Sequence, residues 1–327
     1  MLLVTNGDSA AERIERAGLA GEILPWRDVL HEGPVPAGLS ARELREVRAR
    51  FLADRGWASP NETAESFARR DATLADFGRH EEVVLFFEHD LYDQLQLVQV
   101  LDRFSERDLG EMRLSLTVAD EYLGNLGPER LRAFFDGRRE ATAQEVDLAS
   151  MAWEAFRSPE PTRISELLDK DTSALPYLGS ALLRHLEQFP STDNGLSRSE
   201  RQALEAISGG KDVLHEAYIA SHQEREESVF LGDIVFASYL EDLSAAEEPL
   251  VVFEGGETIR ASCAGEDDRW FWERRAVVTE KGQDVLRGDA DRVELNGIDR
   301  WLGGTHLNGE STWRWDESAG ELRRDAA

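Results

Sequence analysis

The stretch EEVVLFFEHDLYDQLQLVQVLDRF, residues 81–104, joins an apolar strand to the start of a helix. The run Val83–Phe87 is typical of a strand that is covered on both faces. It ends in a group of polar side chains, which are Glu88, His89, Asp90, Asp93 and Gln94. A strand that leads into a helix needs one polar break. Five groups able to bind a proton, a metal or a substrate therefore indicate a functional edge.

The same alternation of strand and helix runs through the first 125 residues. Apolar runs predict strands at MLLVT, GEILPW, EVVLFF and MRLSLTV. Amphipathic segments predict the helices between them, and Ser40 with Glu43 forms the pattern of a capping box. Continuous apolar strands joined by helices favour a parallel sheet with both faces covered. We therefore predict an α/β fold whose amino-terminal domain is Rossmann-like.

Three regions follow from the pattern. Residues 1–126 predict the Rossmann-like domain, and 127–190 a helical segment packed on it. PSTDNG, residues 190–195, predicts a linker, and 196–327 a winged-helix-like α+β domain that ends in a β-hairpin. RWFWERR, residues 269–275, is interpreted as a hairpin strand leading into the wing.

Acidic residues dominate the charge of the chain. Asp and Glu total 65 against 37 Lys and Arg, which gives a formal net charge of −28 over 327 residues, and lysine occurs only at Lys170, Lys211 and Lys281. Such a surface repels itself in dilute buffer and is screened in concentrated salt. We interpret it as halophilic adaptation, because the charge is spread along the chain rather than gathered in one run.

Cysteine content and hydropathy indicate the compartment. Cys263 is the only cysteine, so an intramolecular disulfide is impossible. The amino terminus MLLVTNGDS lacks the basic region and long apolar core of a signal peptide. No apolar run approaches the ~20 residues of a membrane span. We expect a cytoplasmic protein without a membrane partner.

The strand ends carry the candidate site. In an open parallel sheet, ligands bind outside the carboxyl ends of the strands. The first strand is followed by Asn6, Gly7, Asp8 and Ser9, the second by Arg27, Asp28, His31 and Glu32, and the fourth by Asp120, Glu121 and Asn125. Because acids are common in this chain, the most informative of these residues are Asn6, Ser9, His31 and His89.

These residues predict a pocket for a small-molecule ligand. Their nitrogen and oxygen atoms would form either a ligand set for a divalent metal or an acid–base pair for hydrolysis. The predicted catalytic residues are Asp28, His31, Glu88 and His89. The predicted ligand-binding residues are Asn6, Gly7, Asp8, Ser9, Glu32, Asp93 and Gln94. The predicted ligands of a divalent metal are His31, His89 and Asp90.

Simpler interpretations account for the same motifs. Asp8 or Ser9 can cap a helix after a tight turn at Gly7, and Asp90 can cap the helix that follows, with Asp93 and Gln94 facing solvent. GDS is also similar to the nucleophile block of SGNH-type esterases, which need a late Asp-x-x-His. Of the two candidate pairs, Asp28 with His31 lies too early in the chain, and Asp212 with His215 lies in another predicted domain.

Three motifs together, NGDSAAERI, GEILPWRDVLHEGPVP and LFFEHDLYDQLQL, resemble an uncharacterised prokaryotic family, the domain of unknown function numbered eighteen-thirty-five. The later phrase LNGIDRWLGGTHL is similar to the carboxyl end of its longer members. The resemblance covers most of the chain and implies an α/β amino-terminal domain. It implies no reaction, but it selects residues at the strand ends, namely Asp8, Ser9, Asp28, His31, Glu32, Glu88, His89, Asp90, Asp93 and Gln94.

Two functions remain open from the sequence. The first is a small-molecule hydrolase or transferase that acts at the strand ends, with a divalent metal as its candidate cofactor. The alternative is a ligand-sensing regulatory protein whose winged-helix-like domain binds a protein or nucleic acid. The segment GDIVFASYLEDLSAAEE would be its recognition helix, but it is acidic and has no Lys or Arg, which disfavours a nucleic-acid partner.

Overall fold

The structure is a computed structural model that describes residues 1–256, 260–261, 269–309 and 312–325, apart from the side chains of Pro60, Arg269 and Trp270. Its amino-terminal part alternates strands and helices: β1 Leu2–Thr5, α1 Asp8–Arg16, β2 Glu22–Pro25, β3 Gly33–Pro34, α2 Ala41–Asp54, α3 Pro60–Ala75, β4 Glu82–Glu88, α4 Leu91–Asp102 and β5 Arg113–Ala119. Single 3₁₀ turns lie at Phe77–Arg79 and Leu123–Asn125.

β1, β2, β4 and β5 form one sheet with β6, the short strand Arg139–Glu140, in the order β2-β1-β4-β5-β6. β1, β2, β4 and β5 are mutually parallel, and β6 is antiparallel to β5. The α/β prediction with a parallel amino-terminal sheet is therefore confirmed. The two-residue β6 was missed because so short a strand leaves no periodic pattern.

Alternate residues of the central strands enter two cores, as the two-residue period of a strand requires. Leu3 and Phe86 pack with Ile14 of α1 on one face of the sheet. Leu85 and Phe87 belong to the larger core on the other face, with α4. From β1 the chain leads outward through α1 to β2, and from β4 it leads the other way through α4 to β5. The gap between β1 and β4 is thus the switch point of the sheet, and the loops after these strands meet there.

The middle and carboxyl-terminal parts are mainly helical. The middle helices are α5 Pro128–Asp136, α6 Ala143–Phe156, α7 Thr162–Leu168 and α8 Leu178–Leu186. They are followed by α9 Arg198–Ser208, α10 Leu214–Tyr218, a π-helical turn Ile219–Gln223, α11 Asp233–Ala245, β7 Val251–Phe253, α12 Arg269–Trp272, β8 Ala276–Val278, α13 Glu280–Arg287 and α14 Arg292–Asn296. The last strands are β9 Arg300–Gly303, β10 Thr305–Leu307, β11 Trp313–Asp316 and β12 Glu321–Arg324.

Three small strand sets complete the carboxyl-terminal part. β7 pairs antiparallel with β8, and β11 with β12. β9 and β10 form a hairpin, and β9 also pairs with β3 near the amino-terminal sheet. The interpretation of RWFWERR as a strand is wrong: α12 occupies Arg269–Trp272, and the strand begins only at Ala276. A four-residue helix is too short for its periodicity to separate it from a strand.

The segment predicted as a linker, residues 190–195, is held by hydrogen bonds to β11. Thr192 donates its backbone N–H to the carbonyl of Trp315, and Ser191 is buried. The domain boundaries themselves stay predictions. Within the described ranges, no helix is both long and apolar enough to cross a bilayer.

Candidate functional site

Three carboxylates gather where β4 passes into α4. Glu88 is the last residue of β4, Asp90 is the N-cap of α4, and Asp93 lies in the first turn of that helix. One carboxylate oxygen from each lies within 4.8 Å of the others, and all three residues are buried. Burial of three acids in contact is costly unless protons or a cation neutralise them.

The carboxylates are fixed by backbone and amide donors. Asp93 accepts a hydrogen bond of 2.6 Å from the backbone N–H of Glu88, and one of 2.8 Å from the side-chain amide of Asn6. Asp90 accepts from the N–H of Asp93 at 3.1 Å, which caps α4. Glu88 accepts from the N–H of Leu123 at 2.8 Å. The loops after β1, β4 and β5 thus hold one acidic group, which we call the Glu88 cluster.

Each carboxylate of the Glu88 cluster disfavours ionisation of the other two. Burial and the Glu88 carboxylate raise the pKa of Asp90 to about 8. Burial, Asp90 and Glu88 raise the pKa of Asp93 well above its ordinary value. Burial also raises the pKa of Glu88. Desolvation and like charge thus both favour the protonated acids in the absence of a cation.

Within the described part of the chain, no arginine, lysine or histidine forms an ion pair with the Glu88 cluster. Its donors are carboxylate oxygens, which suit hard divalent cations such as Mg²⁺, Mn²⁺ or Ca²⁺. Their close spacing and their lack of a counter-charge both fit such an ion. The cluster also lies at the switch point between β1 and β4, where open α/β sheets bind ligands.

The structure brings together a different group of side chains from the predicted metal ligands. Asp90 belongs to the Glu88 cluster, whereas His31 and His89 do not. Glu88 and Asp93, which were predicted for other roles, take their places. The sequence could not resolve this, because every candidate had to be assigned from a strand end without knowing which side chains turn inward.

Gln94 and Asp93 are buried, so the simpler interpretation that they face solvent is wrong. Gln94 donates its side-chain amide to the backbone carbonyl of Glu88 at 2.7 Å. It therefore stabilises the strand end that carries the cluster. The simpler interpretation of Asp90 as the cap of α4 is confirmed, and Asp90 is also a member of the Glu88 cluster.

His89, which separates Glu88 from Asp90 in the chain, lines a cleft. The imidazole packs against Tyr122 and Tyr177 with ring centroids 5.2 and 5.8 Å away. Its Nδ1 atom is buried without a hydrogen-bond partner in the described structure. The cleft has a volume of about 230 Å³ and includes side chains of α8 and α9. His89 can therefore contact a ligand in the cleft, and its neighbours in the chain, Glu88 and Asp90, belong to the Glu88 cluster.

His31 lies in a different environment. It is buried against Tyr92 and Phe230, with ring centroids 5.9 and 5.1 Å away, and neither ring nitrogen has a partner in the described structure. Burial first, then His185 and nearby arginines, lower the pKa of His31 to about 3. The ring is therefore neutral at physiological pH. His185, which the sequence analysis did not select, shares this character and has its pKa lowered to about 3 by burial and two arginines.

The acids predicted beside His31 form buried ion pairs. Asp28 accepts from Arg48 at 2.9 Å, and both side chains are almost fully buried. Glu32 pairs with Arg300 of β9 at 2.6 Å and accepts a hydrogen bond from Tyr239 of α11. These pairs join the amino-terminal sheet region to the carboxyl-terminal elements. Because both carboxylates are already paired with arginines, neither is free to bind a ligand without breaking its ion pair.

The loop after β1 departs from its predicted capping pattern. Gly7 is the N-cap of α1, and no side chain caps that helix, so the expectation of a cap from Asp8 or Ser9 is wrong. Asp8 instead pairs with Arg27 at the surface at 2.5 Å. Ser9 is exposed, and in the described structure no hydrogen bond joins it to a histidine. An SGNH-type arrangement therefore lacks its Ser–His contact here.

The strand end after β5 contributes mainly backbone. Glu121 forms an exposed ion pair with Arg130 at 2.5 Å. Tyr122, which the sequence analysis passed over, packs against His89 and has its pKa raised to about 12 by burial and Asp90. The only sequence signal for Tyr122 was its position directly after Asp120 and Glu121, at the end of a predicted strand.

Comparison of the chain with protein-family models and with curated proteins finds no match. The resemblance to the uncharacterised prokaryotic family therefore stays a prediction.

Proposed function

We propose that this protein is a divalent-cation-dependent hydrolase or transferase that acts on a small molecule at the switch point of its Rossmann-like sheet. The observation that carries the proposal is the Glu88 cluster, in which three buried carboxylate groups meet without a cationic partner in the described structure. A hard cation bound there would lower the pKa of a water molecule and polarise a substrate oxygen.

The chain's own residues have separate roles in this proposal. Glu88, Asp90 and Asp93 hold the cation. Asn6 orients Asp93 through its 2.8 Å amide hydrogen bond. His89 faces the cleft and transfers a proton to or from the bound molecule.

His31, Asp28 and Glu32, which were predicted from sequence as catalytic or ligand-binding, have structural roles in this proposal. The supporting observation is the engagement of Asp28 and Glu32 in buried pairs with Arg48 and Arg300. His31 is enclosed by aromatic rings.

The regulatory alternative would need a free recognition helix. The order of α9, α10, α11 and the β7–β8 pair is compatible with a winged-helix-like arrangement. However, α11 is largely buried, and its Ser238 accepts a hydrogen bond of 2.7 Å from Trp57 of the amino-terminal part. This contact occupies the helix that would read nucleic acid and disfavours that partner.

The test is a hydrolysis screen in concentrated salt with Mg²⁺ or Mn²⁺ against chelator. Small esters, amides and phosphoesters are the substrates, and Glu88→Gln is compared with Glu82→Gln. Glu82 is a buried acid at the opposite end of β4 that pairs with Arg138 at 3.0 Å, so its variant controls for loss of a buried acid. We expect turnover that depends on the cation. Glu88→Gln should lower it at least a hundredfold, whereas the Glu82→Gln variant should keep it. Equal turnover in chelator would refute the proposal.

A further inference from the structure

The cleft beside His89 is built from all three regions of the chain. His89 follows β4, Leu183 and Arg184 come from α8, Arg198 begins α9, and the segment 226–228 follows the π-helical turn. The carboxyl-terminal part therefore supplies one wall of the cleft, and His89, the candidate catalytic residue, lines it from the amino-terminal part. A separately acting carboxyl-terminal module would not need to do so.

The arginines of the cleft are already neutralised. Arg184 binds Glu226 at 2.8 Å, and its guanidinium group also donates to Gln188 and Ser199. Arg198 binds Glu187 at 2.7 Å. Because both guanidinium groups have carboxylate partners, an anionic ligand would have to displace one of them.

The carboxylate of the cleft that lacks a partner favours a cation instead. Glu227 lines the cleft, and in the described structure its carboxylate has no hydrogen bond or ion pair. Leu183, which also lines the cleft, is 44% exposed and offers apolar surface.

We infer that this cleft binds the substrate of the proposed reaction and that the substrate is a small molecule with an ammonium group next to a short apolar segment. The ammonium group pairs with Glu227, and the apolar segment packs on Leu183. The cleft volume of about 230 Å³ is below the ~300 Å³ of the smallest drug-sized pockets, which suits a metabolite-sized ligand. This inference rests on the proposed function, because it takes the cleft to serve the Glu88 cluster.

The test is a ligand-observed NMR titration of the full chain in concentrated salt and chelator. Three probes of nearly equal size are used, which are n-butylammonium, n-butanol and butyrate. We expect n-butylammonium to bind at least tenfold more tightly than butyrate, with n-butanol between them. Glu227→Gln should remove most of the preference for n-butylammonium. Glu224→Gln is the matched control, because Glu224 is exposed in the same segment and does not line the cleft.

A second pair of variants tests whether the probes bind in this cleft. Leu183→Trp should fill the cleft and weaken all three probes. Met151→Trp should leave binding unchanged, because Met151 is equally exposed at 44% but lines a different groove. Butyrate binding as tightly as n-butylammonium, or no effect of Glu227→Gln and Leu183→Trp, would overturn the inference. Amine binding without any cation dependence of turnover would refute the proposed function alone.

Discussion

Glu88, Asp90 and Asp93 cannot all be ionised in a buried site without a counter-charge, because each charge raises the free energy of the other two. A folded protein can protonate them, or it can bind a cation. The backbone N–H groups of Glu88, Asp93 and Leu123 donate to them, which fits the charged form. We infer that the site is shaped for the ion and protonates in its absence.

This balance predicts how stability depends on pH without metal. Raised pKa values mean that the folded state holds more protons than the unfolded state between the ordinary carboxylate pKa of about 4 and the value of about 8 for Asp90. The contribution of the cluster to stability is therefore present below this window and is lost as pH rises through it.

Glu88→Gln should relieve part of this loss, since its amide oxygen can still accept from Leu123. In chelator, we expect the variant to gain about 1 kcal/mol relative to wild type between pH 5 and pH 8. Urea unfolding at both pH values measures this gain. A difference that does not change with pH would contradict the assignment of raised pKa values to the cluster.

His31→Phe separates a structural histidine from a ligand. The pKa of His31 is lowered to about 3, so its neutral form stabilises the fold, and this contribution is lost as pH falls below the unfolded value of 6.5. Relative to wild type, we expect the variant to gain about 2 kcal/mol between pH 7 and pH 5. It should retain cation binding. Loss of cation binding in a folded His31→Phe variant would restore His31 to the metal set.

At the scale of elements, α4 shows what could be predicted. Its apolar pattern, its Asp90 cap and the polar edge before it were all visible in the sequence. The contact between Asn6 and Asp93 was not, because it joins residues 87 positions apart. Which acids of a strand end turn inward depends on such contacts and on the twist of the sheet, and neither leaves a periodic signal.

The same limit explains the errors elsewhere in the chain. The capping box at Ser40 is local, and the structure confirms it. Glu32 could not be recognised as ion-paired, because its partner Arg300 lies 268 positions away. His31 was selected for its residue type, although its aromatic surroundings come partly from Phe230 in the carboxyl-terminal part.

The β9–β10 hairpin depends on close approach to α6. A Cβ atom at Gly304 would overlap the carbonyl oxygen of Arg157, and the N–H of Gly304 donates to Phe156 at 2.9 Å. Gly304→Ala should therefore destabilise the protein by about 3 kcal/mol. Gly309→Ala is the control, since a Cβ atom there meets nothing within 4 Å. Equal unfolding free energies of the two variants would contradict the docking of the hairpin on α6.

At the scale of the whole molecule, charge repulsion opposes folding. A formal net charge of −28 is screened as salt rises, because the Debye length falls from ~10 Å at 0.1 M to ~3 Å at 1 M. We expect the melting temperature in chelator to rise by about 5 °C or more between 0.1 and 2 M KCl. Differential scanning calorimetry measures this, with sucrose at equal osmolality as the control. A melting temperature independent of KCl would contradict the halophilic interpretation.

The burial of α11 joins the carboxyl-terminal part to the amino-terminal one. Arg55 pairs with Asp242 at 2.8 Å, Trp57 binds Ser238, and Tyr239 donates to Glu32. These contacts favour a protein in which the carboxyl-terminal elements complete a site rather than act at a distance. The proposed cleft, with walls from both parts, depends on this arrangement.

The most direct test of the central claim is a crystal structure with Mn²⁺ in concentrated salt, measured for anomalous scattering, with a Glu88→Gln crystal beside it. We predict one strong peak coordinated by Glu88, Asp90 and Asp93 in the wild type, and its loss or marked weakening in the variant. A wild-type map with no peak among these carboxylates, while Mn²⁺ occupies other sites, would contradict the account.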